Sequence, residues 1–338
     1  MPPVKASVQF ILIKCDVFFA LLINNIKFVI LYAYNVGQAS FTKKPPNKLY
    51  VLSGVNATFP WEYTVTDRES TFDLYSPKWS FYDENGTEHV IGNEYRFNSW
   101  KWQIVTSKCP QRLLKPTVRV FKKEIATLVI NNVTTADNGM YGCTLVLNSP
   151  PSLVSKIQLI VTVKPQIKIT GKTEVMENTT LTLNCSAVGP PTPNVTWLNN
   201  ADVVLAQGIQ SAVLKIANIS REQAGTYKCN ATNNPNEPPV QEVIAVYALF
   251  PPELNRSRSS INVTACPSGR KPTIVCAAVG YPNPTYYWYD PNDKSVEENK
   301  TGVESKILVD PIEGTWTCYV TNGVGQGIYH KVQMKGLQ

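Results

Sequence analysis

The sequence predicts an all-β chain of three tandem antiparallel sandwiches. Two observations carry that expectation. A cysteine–tryptophan–cysteine pattern occurs twice at nearly the same spacing, and a third segment upstream has the same ending. The composition agrees with short strands joined by turns: over 338 residues, charged residues are 17%, aromatic residues 10%, and there are 25 prolines. Such a chain is poor in charged helix surface and rich in turn formers and ring-bearing strand residues. With 43% hydrophobic residues it can build a core in each unit. The formal charge of +7 is spread as single Lys and Arg. No basic stripe with interleaved aromatics is present, which argues against nucleic-acid binding.

The repeat is clearest downstream. One copy has Cys185, Trp197 twelve residues later, alternating Leu214 and Ile216, then Gly225, Tyr227 and Cys229. The other has Cys276, Trp288 twelve residues later, Ile307 and Val309, then Gly314, Trp316 and Cys318. The segments "CSAVGPPTPNVTW" and "CAAVGYPNPTYYW" also match between the copies. Two facing sheets about 10 Å apart are joined by one bridge between inward side chains, with a Trp packed against it. The residue two before the second cysteine points inward with it, because strand side chains alternate.

These residues resemble I-set domains of the immunoglobulin superfamily, as found in adhesion molecules and receptor ectodomains. The resemblance implies the pairs Cys185–Cys229 and Cys276–Cys318, with Trp197, Tyr227, Trp288 and Trp316 in the cores. The family usually has an Asp six before the second cysteine, where this chain has Gln223 and Ile312. Trp316 also replaces the corner tyrosine and puts its hydrogen bond in question.

The first unit departs further. "VTTADNGMYGC" holds Asp137, Gly139, Tyr141 and Cys143, and Arg119 lies where V-set domains place the partner of that Asp. "GVNATFPWEY" resembles a V-set start with Trp61 in the cysteine's place, and Trp79 takes the core Trp role. The 82 residues from Trp61 to Cys143 leave room for two additional strands. "NEYRFNSWKWQIV" reads as one of them, with a phase slip near Ser99 that suggests a bulge. Trp61 against Cys143 is an apolar substitute for the missing bridge; a shifted Cys109–Cys143 bridge is the alternative. Cys266 is left over.

The expected organisation is a leader over residues 1–39 (a cleaved signal peptide, or alternatively a signal anchor), then domains at 40–163, 164–249 and 250–335. Apolar runs followed by Gly37 and Ala39 suggest the leader. The short junctions at Pro165 and at Pro251–Pro252 suggest stiff elbows in a semi-rigid rod. Eleven Asn-x-Ser/Thr acceptors occur, where chance gives about four. Asn56, Asn85, Asn132, Asn178, Asn194, Asn218, Asn230, Asn255, Asn262 and Asn299 are expected glycan sites. Asn184, beside a buried cysteine, is the least expected.

Catalytic constellations are missing from the sequence. The two histidines, His89 and His330, lie far apart, and no metal or phosphate-loop motif occurs. The acids Asp290, Asp293, Glu297 and Glu298 lack calcium-loop spacing and read as a solvated turn. The expectation is therefore a secreted or plasma-membrane-associated glycoprotein that is not an enzyme and has no cofactor or small-molecule substrate. Its partner would be another extracellular protein or a second copy of itself, in adhesion or recognition. The ectodomain or soluble decoy of a growth-factor-type receptor is the alternative. In V-type domains the sheet carrying the extra strands commonly forms the recognition face. By that resemblance Tyr82, Tyr95, Phe97, Trp100 and Trp102 are candidates for binding, although alternating aromatics often face their own core.

Overall fold

A computed structural model of the chain describes residues 38–264, 270–296 and 300–336. All but the last residues of the expected leader, together with Cys266, Glu297, Glu298 and Asn299, lie outside that description. Ala39, the expected cleavage point, opens the first strand. The regular structure of the described residues is almost entirely strand, in two compact units that divide at Val161/Thr162.

The first unit is built from β1 (Ala39–Lys43), β2 (Lys48–Leu52), β3 (Ala57–Phe59), β4 (Glu62–Val65), α1 (Arg68–Thr71), β5 (Tyr75–Tyr82), β6 (Glu88–Arg96), β7 (Trp100–Ile104), β8 (Val120–Lys123), β9 (Thr127–Ile130), β10 (Gly139–Leu145) and β11 (Leu153–Thr162). One sheet has the order β2-β11-β10-β5-β6-β7; facing it is β3-β9-β8, and β1 pairs with β4. The segment read as one bulged strand is instead a hairpin: β6 and β7 pair antiparallel, Arg96 opposite Trp100. Residues 97–99 are its turn, so the phase slip at Ser99 is a reversal of direction, and it supplies both additional strands. Sequence alternation alone does not distinguish a bulge from a three-residue hairpin loop.

The second unit holds two cores. The first lies between β12 (Gln166–Gly171), β14 (Leu181–Val188) and β17 (Ser211–Ile216) on one side. Opposite are β16 (Val204–Ile209), β15 (Asn194–Leu198), β18 (Gly225–Thr232) and β19 (Val240–Leu254), with β13 (Glu174–Met176) parallel to β19. The second core lies between β21 (Thr273–Tyr281) with β24 (Glu304–Leu308) and the sheet β20-β26-β25-β22-β23. Those last strands are Asn262–Thr264, Ile328–Lys335, Gly314–Thr321, Thr285–Tyr289 and Lys300–Thr301 in that order. The expected elbow at Pro251–Pro252 is replaced by continuity. β19 runs fifteen residues through both prolines, pairing with β18 and then with β21. Its register shifts between Phe250 and Glu253, where the prolines lack N–H donors.

Each core is closed by a related set of residues. Cys185–Cys229 and Cys276–Cys318 are bridged, with Trp197 and Trp288 buried beside them. Trp197 Nε1 donates to the Ala212 carbonyl at 2.9 Å, and Trp288 Nε1 to Ser305 Oγ at 3.0 Å. The corner bond also survives its substitution. Tyr141 Oη donates to Asp137 O and Tyr227 Oη to Gln223 O, each at 2.8 Å, and Trp316 Nε1 reaches Ile312 O at 3.3 Å. A donor is all this corner needs, and an indole N–H supplies one.

Candidate functional site

In the first unit the interior comes first, because it fixes which side chains are left to face outward. Cys109 and Cys143 are both buried free thiols, so the shifted bridge is absent. Trp61 takes the space. Its indole crosses between the sheets to donate from Nε1 to Ser155 Oγ at 3.0 Å. Ser155 is the β11 residue opposite Cys143, which places the indole at the position of the missing disulfide. Phe59 stacks on Trp61 at 5.8 Å and packs at a tilt of 33° against Tyr141 at 5.0 Å. Trp79 donates to Ala126 O at 2.9 Å and packs edge-on against Trp102 at 5.1 Å. Burial raises the pKa of Cys143 and lifts that of Cys109 to about 11, so both stay protonated at neutral pH.

Beneath this core, Arg119 grips the fully buried Asp137 with two bonds of 2.9 Å, and Arg112 approaches within 3.5 Å. The Asp137 carboxylate, by hydrogen bond and charge, raises the Arg119 pKa. Thr134 and Asp137 cap the adjoining turn reciprocally.

The five aromatic candidates divide between two sides of the sheet. Trp100 and Trp102 turn inward and pack on the core, which corrects their placement on a binding face. Trp102 is held against Trp79. Trp100 lies under the Arg68 guanidinium at 4.3 Å and donates from Nε1 to Glu69 at 2.9 Å. Arg68 and Lys122 in turn neutralise Glu94, which is buried. The physical reason is the hairpin: reversal at residues 97–99 puts the two tryptophans on the core side of β7, opposite the side that Tyr95 takes.

Tyr82, Tyr95 and Phe97 face solvent. Tyr75, opposite Tyr95 on β5, stacks on it at 5.0 Å and 19°, and Phe97 continues the stack at 6.5 Å and 22°. Phe97 is 79% exposed, and Leu74 and Tyr75 beside it are also exposed. Further along the same face Glu88 collects three donors: Lys78 Nζ at 2.8 Å, Ser80 Oγ at 2.8 Å and Tyr82 Oη at 3.0 Å. Partial burial opposes ionisation of Glu88, but these donors outweigh it and hold its pKa low. Burial, with the Glu88 charge, pushes Tyr82 up to about 12. Lys156 sits 3.7 Å over the Tyr82 ring. Gly142 lets that ring lie flat, since a Cβ there would come within 2.9 Å of it.

The face therefore has an exposed apolar end and a pre-ordered polar centre. Such a surface suits protein contact: rings offer large rigid area, and the ordered polar groups set register. Among the described residues no cluster of His, Cys, Asp or Glu is arranged to hold a metal. Leu74, Tyr75, Glu88 and Lys156 were not singled out from sequence. The pairing of β5 with β6 is irregular at two places, with an extra β5 residue between Tyr75 and Lys78 and with Ile91 of β6 unpaired opposite Trp79 and Ser80, so simple alternation does not place Tyr75 and Glu88 on one face. A second row of rings lies in the other unit, where Tyr287, Tyr319 and Tyr329 stand in register across β22, β25 and β26.

Known proteins share this fold. An immunoglobulin domain family model matches residues 164–233. The limbic system-associated membrane proteins of Rattus norvegicus and Gallus gallus are each 30% identical over 224 residues. Those matches cover 63% of this chain and 64% of the relatives, so the chain spans just under two thirds of their length. The crystal structure of Dpr2 Ig1-Ig2 in complex with DIP-Theta Ig1-Ig3 contains a chain with a TM-score of 0.55 and 19% identity. It covers 88% of this chain and 99% of that one, and at this identity the likeness is one of fold. With three sandwich cores, two of them bridged and tryptophan-packed, the chain has the fold of tandem immunoglobulin-like sandwiches.

Proposed function

We propose that the chain is an extracellular or cell-surface recognition protein, and that the outer face of its six-stranded sheet binds another protein. The observation that carries this reading is the Tyr75–Tyr95–Phe97 stack, exposed at Tyr75 and Phe97, beside the ordered Glu88 centre. Two bridged cores and eleven glycan acceptors support passage through an oxidising compartment. The relatives are named as membrane proteins of the limbic system, and the fold neighbour is a complex between two multi-Ig proteins. Both fit adhesion or recognition rather than catalysis.

The test is bead aggregation and cell-surface binding by the full chain, repeated with Phe97→Ala and Tyr95→Ala. If this face is the contact, the double variant loses roughly 30-fold or more in affinity, the scale of an interface hot spot. Because Phe97 is largely exposed, its removal leaves thermal stability nearly unchanged. Unaltered binding by the double variant would reject the assignment.

A further inference from the structure

We infer that Asn184 carries an N-linked glycan lying over Val213, so that both broad faces of the 162–249 sandwich are sugar-covered. The inference rests on the extracellular reading above. Its starting point is an orientation that the sequence alone obscures. Asn184 adjoins the buried Cys185, but side chains alternate along a strand. Leu181, Leu183, Cys185 and Ala187 of β14 are buried, while Asn184 points out of the sheet with Thr182 and Ser186. Proximity to a core cysteine therefore places Asn184 on the solvent face.

That face can accommodate a sugar. Asn184 pairs with Thr170 on one side and Val213 on the other, and Ser186 pairs with Ser211. Short hydroxyl side chains leave room and offer hydrogen bonds to a carbohydrate. Val213, the direct neighbour of Asn184 on β17, is 55% exposed, and Val188 further along the same face is 57% exposed. A pyranose ring presents C–H groups on one side and hydroxyls at its rim, which matches an apolar neighbour set among threonines and serines.

The opposite sheet shows the same juxtaposition. Asn194, also an acceptor, pairs directly with Ile209, which is 73% exposed. Twice, then, an exposed branched aliphatic side chain on this sandwich stands beside a glycan acceptor.

The transfer balances with a lipid-diphosphate-linked oligosaccharide as donor. Asn184 Nδ2 bonds to the anomeric carbon, the bond from that carbon to the diphosphate oxygen breaks, and Nδ2 loses one proton. The lipid diphosphate leaves. Cys185 lies inside the acceptor triplet, but its bridge partner is 44 residues downstream. At roughly 5–20 residues per second, the triplet is open for about 2–9 s before Cys229 is made.

The test expresses the full chain in a eukaryotic secretory host and releases N-glycans enzymatically in ¹⁸O water. Each occupied Asn then becomes a labelled Asp readable by mass spectrometry. Label at Asn184 is expected, and Ser186→Ala abolishes it while Asn194 stays labelled. The same variant is expected to bind more of a hydrophobic dye, and Ser186→Ala with Val213→Ser returns to the wild-type signal. An unlabelled Asn184 beside a labelled Asn194 and Asn218 overturns the inference and leaves the extracellular reading standing. No label at any acceptor overturns both. Label at Asn184 with dye binding unchanged in Ser186→Ala overturns the covering of Val213.

Discussion

Trp61 shows how a single side chain can take over the position of a covalent bond. A disulfide closing a loop of this size stabilises by roughly 4–5 kcal/mol in the chain-entropy account. The indole has no effect on the unfolded chain, so its contribution comes from burial, stacking on Phe59 and the Ser155 bond. Trp61→Ala is therefore expected to destabilise the first unit by about 3–5 kcal/mol, read as a shift in denaturant midpoint. Trp61→Phe keeps the apolar contact and leaves Ser155 without its donor, so a smaller loss is expected. A near-neutral Trp61→Ala would show that the space has collapsed onto other side chains. The substitution itself was legible in the sequence, because Trp61 stands at the matching place in a recognisable segment. The bond to Ser155 was not legible, since it joins residues 94 apart that no local pattern connects.

At the scale of strands, the continuous β19 changes the relation between the second and third cores. Arg221 reinforces it. Its guanidinium bonds to Glu177 at 2.7 Å and Glu253 at 2.8 Å and lies 3.9 Å over the Phe250 ring. Tyr247 and Tyr281 stack nearby at 5.1 Å, almost parallel. Hydrogen bonds from Arg221 lower the pKa values of Glu177 and Glu253 in the folded protein. A depressed carboxyl pKa gives stability that is present above the unfolded value near 4.5 and is lost as pH falls through the lower folded value. Arg221→Ala is therefore expected to weaken the second unit by about 1 kcal/mol at neutral pH. That gap should narrow as pH falls below 4.5 and through the depressed carboxyl pKa values. Equal gaps at neutral and low pH would show that the cation–ring contact, and not the ion pairs, carries the effect. Here sequence reading succeeded on strand content and failed on connection. A Pro-Pro pair signals an interruption, yet edge pairing on alternate residues lets a strand pass through it. The β6–β7 hairpin is hidden in the sequence for a similar reason: its turn contains no glycine or proline, only Phe97, Asn98 and Ser99.

Across the molecule the cross-links are unevenly distributed. The described second unit has two disulfides, and the described first unit has two unpaired thiols. Reduction is therefore expected to leave hydrogen-exchange protection in the first unit unchanged. Peptides from the second unit should lose protection, since each lost bridge costs about 2–5 kcal/mol. Equal loss in both units would refute the claim that tryptophan packing holds the first one. Two of the sandwiches were legible because disulfide–tryptophan cores need particular residues at particular spacings, and the first by Trp79 and its Asp137–Cys143 ending. The binding face was only half legible, because Tyr82, Tyr95 and Phe97 could be named but their division from Trp100 and Trp102 depends on the turn between β6 and β7.

The missing bridge also sets what tension does to the chain. A disulfide places a ceiling on extension: the 44 residues from Cys185 to Cys229 and the 42 from Cys276 to Cys318 cannot pay out when the ends are pulled. The first sandwich has no such lock among its described residues, and its roughly 120 residues can lengthen by about 400 Å once it opens. Under load between two anchored surfaces, the sandwich proposed to hold the partner is thus also the one with the longest slack, and Trp61 is part of the catch that keeps it wound.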